Sequence, residues 1–148
     1  MRKTNLGRTI SVLANIGVIA GIVFLGFELQ QNNQLLRNQA RYVLMDNIVT
    51  GNSRRAEDVE LMDIRVKAIN GEPLSQAEDL RLYSDSAAVL ANWAWEYEQS
   101  RLGLIDAIPD AYRGYIGAYP FLIEHWEQYK KHQDPDFVRF MDENVFNR

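Results

Sequence analysis

The chain has 148 residues, 47% of them hydrophobic and 11% aromatic, with no cysteine and a formal charge of −4. Beyond an apolar N-terminal run there is length for one small globular domain and not two, and the composition argues against disorder and excludes disulfides, thiolate metal sites and cysteine nucleophiles. Arg2, Lys3 and Arg8 against Glu28 leave +2 in the first thirty residues, so the rest carries −6, which disfavours nucleic acid as a partner.

From Thr9 to Phe27 the chain reads TISVLANIGVIAGIVFLGF, nineteen residues without a charge. At about 1.5 Å of rise per residue this is roughly 28 Å of helix, close to the roughly 30 Å hydrocarbon core of a bilayer. Residues 1–30 are expected to form a flank and a single-pass transmembrane anchor. Val18-Ile19-Ala20 offers a poor cleavage site, because large apolar residues continue beyond it to Phe27. A retained anchor is therefore favoured over a removed signal peptide. The basic N-terminal flank narrowly outweighs Arg37 and Arg41, which leans the following domain toward the outside of the membrane. Within the span, Ala14, Gly17, Gly21 and Glu28 fall near one helical face, and Gly17 and Gly21 form a G-x-x-x-G step. Small residues let a second helix approach, and the Asn15 amide prefers a partner helix to lipid.

Residues 31–148 are expected to form an acidic helical bundle. The first helix should continue to about Asn47, with Leu36, Ala40, Val43, Leu44 and Ile48 as a packing stripe, and break at Gly51-Asn52-Ser53. A second helix from about Arg54 to Ile69 would bury Val59, Met62, Val66 and Ile69 and stop at Asn70-Gly71. Ser75 and Glu78 form a capping-box signature for a third helix reaching about Leu102. Its faces carry Leu80, Tyr83, Ala87, Leu90, Ala94 and Tyr97, widened by Leu82, Val89 and Trp93, which marks a central helix. Asp106 is the expected cap of a fourth helix, with Ile108, Tyr112, Tyr115 and Tyr119 in step. Pro120 kinks that helix or starts another, carrying Leu122, Ile123, Trp126 and Tyr129. Asp134-Pro135 opens a last helix with Phe137, Phe140, Met141 and Val145. No segment alternates with period two. The predicted class is all-α, one N-terminal transmembrane helix continuing into a bundle of about five to six helices.

Catalytic patterns are scarce. His125 and His132 share a helical face about 10 Å apart, too far to hold one metal ion unaided. Glu96, Glu98 and Glu124 are the carboxylates that could converge on His125, and no nucleophile elbow, P-loop or dinucleotide fingerprint is present. No cofactor or metal is expected. The pairs Arg54-Arg55 and Lys130-Lys131 read as solvated surface. Trp93, Trp95 and Tyr97, set among acids in NWAWEYE, read first as core and second as a ligand pocket. Trp95 or Trp126, if exposed, would instead mark a protein-binding patch.

Taken in order, the apolar anchor, FELQQNNQLLRNQA, NWAWEYEQSRLGLID, EHWEQY and DPDFVRFMDENV resemble a widespread group of uncharacterised bacterial proteins, each with one N-terminal span and a small helical domain. The similarity covers most of the chain through loose motifs. It implies a bacterial inner-membrane protein and carries over no catalytic residue. Trp93 and Trp95 stand where the group tends to phenylalanine or tyrosine. The expected function is non-enzymatic: an anchored accessory or scaffold subunit contacting lipid and either itself or another membrane protein. The alternatives are a ligand-binding or sensing domain around Trp93, Trp95 and Tyr97, and an enzyme using Glu96, Glu98, Glu124 and His125.

Overall fold

The structure is a computed structural model that describes residues 4–147; the flanking charges Arg2 and Lys3 lie outside the described residues. Among the described residues six α-helices follow one another: α1 (Thr4–Glu57), α2 (Val59–Ile69), α3 (Gln76–Arg101), α4 (Pro109–Ala118), α5 (Leu122–Tyr129) and α6 (Pro135–Asn144), with a 3-10 turn at Lys130–His132. Among the described residues there is no strand, as an all-α class requires. The chain divides into two compact units, Met1–Gln39 and Ala40–Arg148.

In the first unit, every large apolar side chain from Leu6 to Leu29 is 51–69% exposed. By length and composition the helix is long and apolar enough to cross a membrane, with a mean hydropathy of 2.3 in its richest stretch and none of that stretch buried. Ser11 Oγ donates to the Gly7 carbonyl at 3.1 Å, so its polar group is met within the helix.

In the second unit α1 does not break at Gly51-Asn52-Ser53; it runs through to Glu57. Glycine inside a helix costs about 1 kcal/mol against alanine, and side-chain contacts on the same turns offset it. Asn47 Nδ2 donates to Asn92 Oδ1 at 3.1 Å, and Arg55 Nε donates to Asp85 Oδ1 at 2.7 Å. A Cβ at Gly51 would stand 2.9 Å from Arg55 Nη1, so the glycine leaves room for that guanidinium. The break comes at Asp58 alone. Its carboxylate accepts from the Leu61 N–H at 3.0 Å and caps α2, while Arg81 Nη2 donates to both of its oxygens at 2.8 Å.

The expected faces of α1 and α2 need correction. Of the predicted α1 stripe only Ala40 is buried, with Leu44 half-buried and Leu36, Val43 and Ile48 exposed. On α2 the predicted stripe points outward: Val59 is 71% exposed and Met62, Val66 and Ile69 are exposed as well. Leu61, Ile64 and Arg65 turn inward instead. The reason is polar: Arg65 finds Asp85 and Tyr115 inside, and the helix rotates to deliver it.

Local signals elsewhere hold. Ser75 and Glu78 form a reciprocal capping box at the start of α3. Gly71 (φ +70) and Gly103 (φ +67) close α2 and α3 in the left-handed conformation that glycine adopts without strain. Both ends show the Schellman pair of bonds, Gly71 N–H to Ala68 with Glu72 N–H to Lys67, and Gly103 N–H to Ser100 with Leu104 N–H to Gln99. Asp106 does not cap α4; Ile108 holds that position without a side-chain bond, and Pro109 sets the first turn. Pro120 separates α4 from α5. Asp134 caps α6 through the N–H groups of Asp136 and Phe137.

The core gathers Leu90 and Trp93 of α3, Tyr112 of α4, Trp126 of α5, and Phe137 and Met141 of α6. Leu90, Trp126 and Met141 are completely buried. Trp126 stacks on Phe146 at 5.2 Å and meets Phe137 edge-on at 5.7 Å.

Candidate functional site

The chemistry-bearing side chains of the second unit fall into two buried polar assemblies and one cleft. The first assembly centres on Arg65, 4% exposed. Its Nη2 donates to the Tyr115 hydroxyl at 3.0 Å, its Nε donates to Asp85 Oδ2 at 3.0 Å, and its guanidinium lies 4.6 Å from the Tyr119 ring centre. Asp85 receives Arg55 on its other oxygen. One carboxylate thus ties α1, α2 and α3, and Arg65 extends the tie to α4. Burial works against the Arg65 charge, but the Tyr115 hydrogen bond and the neighbouring Asp85 carboxylate raise its pKa. The expectation that Arg54-Arg55 is solvated holds for Arg54 and fails for Arg55. Lys130-Lys131 divides the same way, since Lys130 bonds Asp142 at 3.3 Å and pairs with Glu127.

The second assembly is built on Glu96, 7% exposed on the inner face of α3. Glu96 Oε2 accepts from the Tyr112 hydroxyl, and Oε1 accepts from Asn92 Nδ2 at 2.6 Å. Asn92 in turn accepts from Asn47, so the chain of bonds reaches α1. Burial pushes the Glu96 carboxyl above its usual range, against the pull of Tyr112 and Asn92. Burial followed by Glu96 raises the Tyr112 phenol as well. Outside these assemblies a third buried polar contact is sealed away, about 15 Å along α3 from Glu96: His125 Nδ1 lies 2.7 Å from Ser86 Oγ, with the residues 6% and 1% exposed. Burial lowers the His125 pKa, opposed by Asp79 and Glu124.

The cleft, about 790 Å³, lies between the Leu44–Arg55 stretch of α1, α3 and α4. Trp93, Trp95 and Glu96 line one side, Asn47 and Arg54 another, and Tyr112 the third. Its size and its mixture of rings with a few polar groups match a small-molecule site.

The sequence candidates separate here. Trp93 is buried, stacked on Tyr112 at 4.7 Å and edge-on to Tyr115, and still reaches the cleft. Trp95 is half-buried on the cleft wall. Tyr97 is not part of the cleft lining; it packs on Phe137 and Phe140 at 5.5 and 4.9 Å. Trp126 is corrected outright as a surface residue: it is wholly buried, with Nε1 donating to Asp142 at 2.7 Å. Glu96 and His125 hold different partners, and Glu98 and Glu124 are exposed. Among the described residues no group of three or more His, Asp or Glu side chains could hold a metal ion. Arg65 and Asp85 escaped the sequence reading, because their meeting depends on two helices twenty residues apart.

No protein-family profile matches the chain, and no curated protein or solved structure is similar to it.

Proposed function

We propose that the chain is a membrane-anchored helical accessory subunit, non-enzymatic, acting by protein–protein contacts in the bilayer and beside it. What carries this reading is that α1 exposes apolar side chains in both units. In the first unit the uncharged run from Thr9 to Phe27 is long enough to cross a bilayer. A Cβ at Gly17 or Gly21 would meet nothing within 4 Å, so no packing within the chain calls for glycine there. A second helix at the Ala14, Gly17, Gly21 and Glu28 face would use both glycines, and the Asn15 amide, about 100° round the helix from Ala14, prefers a partner helix to lipid. In the second unit Tyr42, Met45 and Val49 are 74%, 58% and 58% exposed. The bacterial inner membrane, with the domain on the periplasmic side, is the location that the flanking charges and the family resemblance favour. Extraction in mild detergent followed by native electrophoresis and crosslinking tests the reading. A discrete species above the monomer is expected; a chain that stays monomeric and alone refutes it.

The cleft favours a second reading, a ligand-binding or sensing domain, because it brings Trp93 and Trp95 beside the polar Asn47, Arg54 and Glu96. A small-molecule screen read by thermal shift tests it. Ligands that stabilise the native chain and lose their effect in Trp95→Ala would support a site there, and a screen without stabilising compounds would count against it.

A further inference from the structure

The second unit leaves one side of α1 without a neighbour, and its chemistry names an occupant. At about 100° per residue, Ala40, Leu44, Asn47 and Gly51 share one side of the helix, and that side meets the domain: Ala40 is 6% exposed, Leu44 and Gly51 are half-buried, and Asn47 bonds Asn92. Tyr42, Met45 and Val49 fall on the opposite side and are all exposed. Their spacing of three and four residues is that of alternating a and d positions in a heptad. In that register the domain occupies c and f positions, and the a/d seam is what remains free.

Charge supplies the second argument. Arg41 and Asp46 flank this seam at g and e positions, and both are exposed. Neither forms a hydrogen bond or ion pair within this chain among the described residues. In a parallel two-stranded coil, a g residue faces the e residue five places on in the partner helix, so Arg41 of one copy meets Asp46 of the other, twice by symmetry. An antiparallel pair would instead set g against g and e against e, so Arg41 would not meet Asp46. Steps of seven carry the register back in sequence from Tyr42 through Leu35, Glu28 and Gly21 to Ala14, and from Met45 through Asn38, Gln31 and Phe24 to Gly17. The polar members Glu28, Gln31 and Asn38 weaken such a seam while fixing its alignment.

We propose that the Tyr42–Met45–Val49 face of α1 is the docking surface for a second copy of this chain, in parallel, aligned by reciprocal Arg41–Asp46 pairs. This rests on the accessory-subunit reading and names its partner. Two copies inserted into a membrane the same way are parallel, which is the orientation the charges select.

The cysteine-free chain allows a direct test in native membranes at full length. Met45→Cys and Val49→Cys are expected to form disulfide-linked dimers on mild oxidation, and Val43→Cys, a quarter-turn or more off the seam, is not. In the Met45→Cys background, Arg41→Glu is expected to lower the dimer fraction roughly tenfold, from two lost pairs and new repulsion. Adding Asp46→Arg should restore it. Equal crosslinking at positions 43 and 45, or no rescue by the exchanged charges, overturns the pairing. Absence of dimers in a chain that still migrates in a larger native complex overturns the pairing and leaves the accessory reading intact. Absence of both overturns the two together.

Discussion

Replacing Asp85 with alanine tests how the second unit is held together. The Asp85 side chain is 9% exposed and lies 2.8 Å from Arg65 Nη2, whose own side chain is 5% exposed. Arg55 reaches the same carboxylate at 2.7 Å. Breaking a buried pair by removing one partner leaves an uncompensated charge and costs about 3–5 kcal/mol. Arg65 would retain the Tyr115 hydroxyl and the Tyr119 ring, and Arg55 is partly exposed, so the lower end applies, about 3 kcal/mol. For a unit of this size that is a fall of roughly 10–15 °C in Tm. Thermal unfolding of the full-length protein in mild detergent, followed by circular dichroism, measures it. The control is the double variant Asp85→Ala with Arg65→Met, which removes the stranded cation and fills its space with an apolar chain; it should recover more than half of the loss. A cost under about 1 kcal/mol for the single variant, the value of an exposed pair, or a double variant no better than the single, refutes the view of Arg65 as a buried and dependent charge.

Glu96→Gln should change the pH profile. An unburied carboxyl titrates near 4.5, and burial raises that of Glu96 in the folded state. As pH rises past 4.5 the unfolded chain ionises first, so wild-type stability falls until the folded group has also titrated. The variant should be nearest to wild type in acid and gain relative to it toward neutrality, read from melts over about pH 4–8. His125 works in the opposite sense. Its folded pKa lies below 6.5 because of burial, so stability is complete above 6.5 and lost as pH falls toward the lowered folded value; His125→Asn should be less stable at alkaline pH, with the gap to wild type closing in acid. Ser75→Ala removes one half of the α3 capping box and should cost about 1 kcal/mol by chemical denaturation. Glu78, held down to about 2 by Lys67 and the Ser75 backbone and hydroxyl, keeps its charge over most of the acid range, so the Glu78→Gln defect should persist from neutral pH and fade only as pH drops from 4.5 toward 2.

Helix ends were readable because their physics is local. A serine followed three residues later by glutamate, an aspartate before proline, and a glycine after an apolar run each bond within one turn, so Ser75, Asp134, Gly71 and Gly103 behave as their neighbours dictate. Helix faces were less readable. Val59, Met62, Val66 and Ile69 are apolar at helical spacing, yet the side of α2 carrying Arg65 turns inward, because Asp85 and Tyr115 lie far along the chain and spacing alone does not bring them together. The α1 break was misplaced for the same reason: Gly51 signals a stop, and Asp85, thirty residues beyond Arg55, cancels it. Within the candidate site, the aromatic density around Trp93 and Trp95 reads first as core, which Trp93 is; the cleft beside them also needs α1 and α4, which spacing along α3 does not place. Trp126 stands in the apolar phase that follows Pro120, and the alternative of an exposed patch fails because Phe137, Phe146 and Asp142, later in the chain, enclose it.

That late arrival has a consequence for biosynthesis. Trp126 is enclosed by α6, and Met141, Val145 and Phe146 supply part of the central packing. During synthesis the apolar run of α1 leaves the ribosome before these closing residues do. Until they emerge, Trp126 lacks the Phe137 and Phe146 rings that pack on it, and the nascent unit has an open core. Closure of this core therefore waits for α6. A ribosome stalled before Phe137 would present the apolar run of α1 together with a core still open to chaperones and proteases.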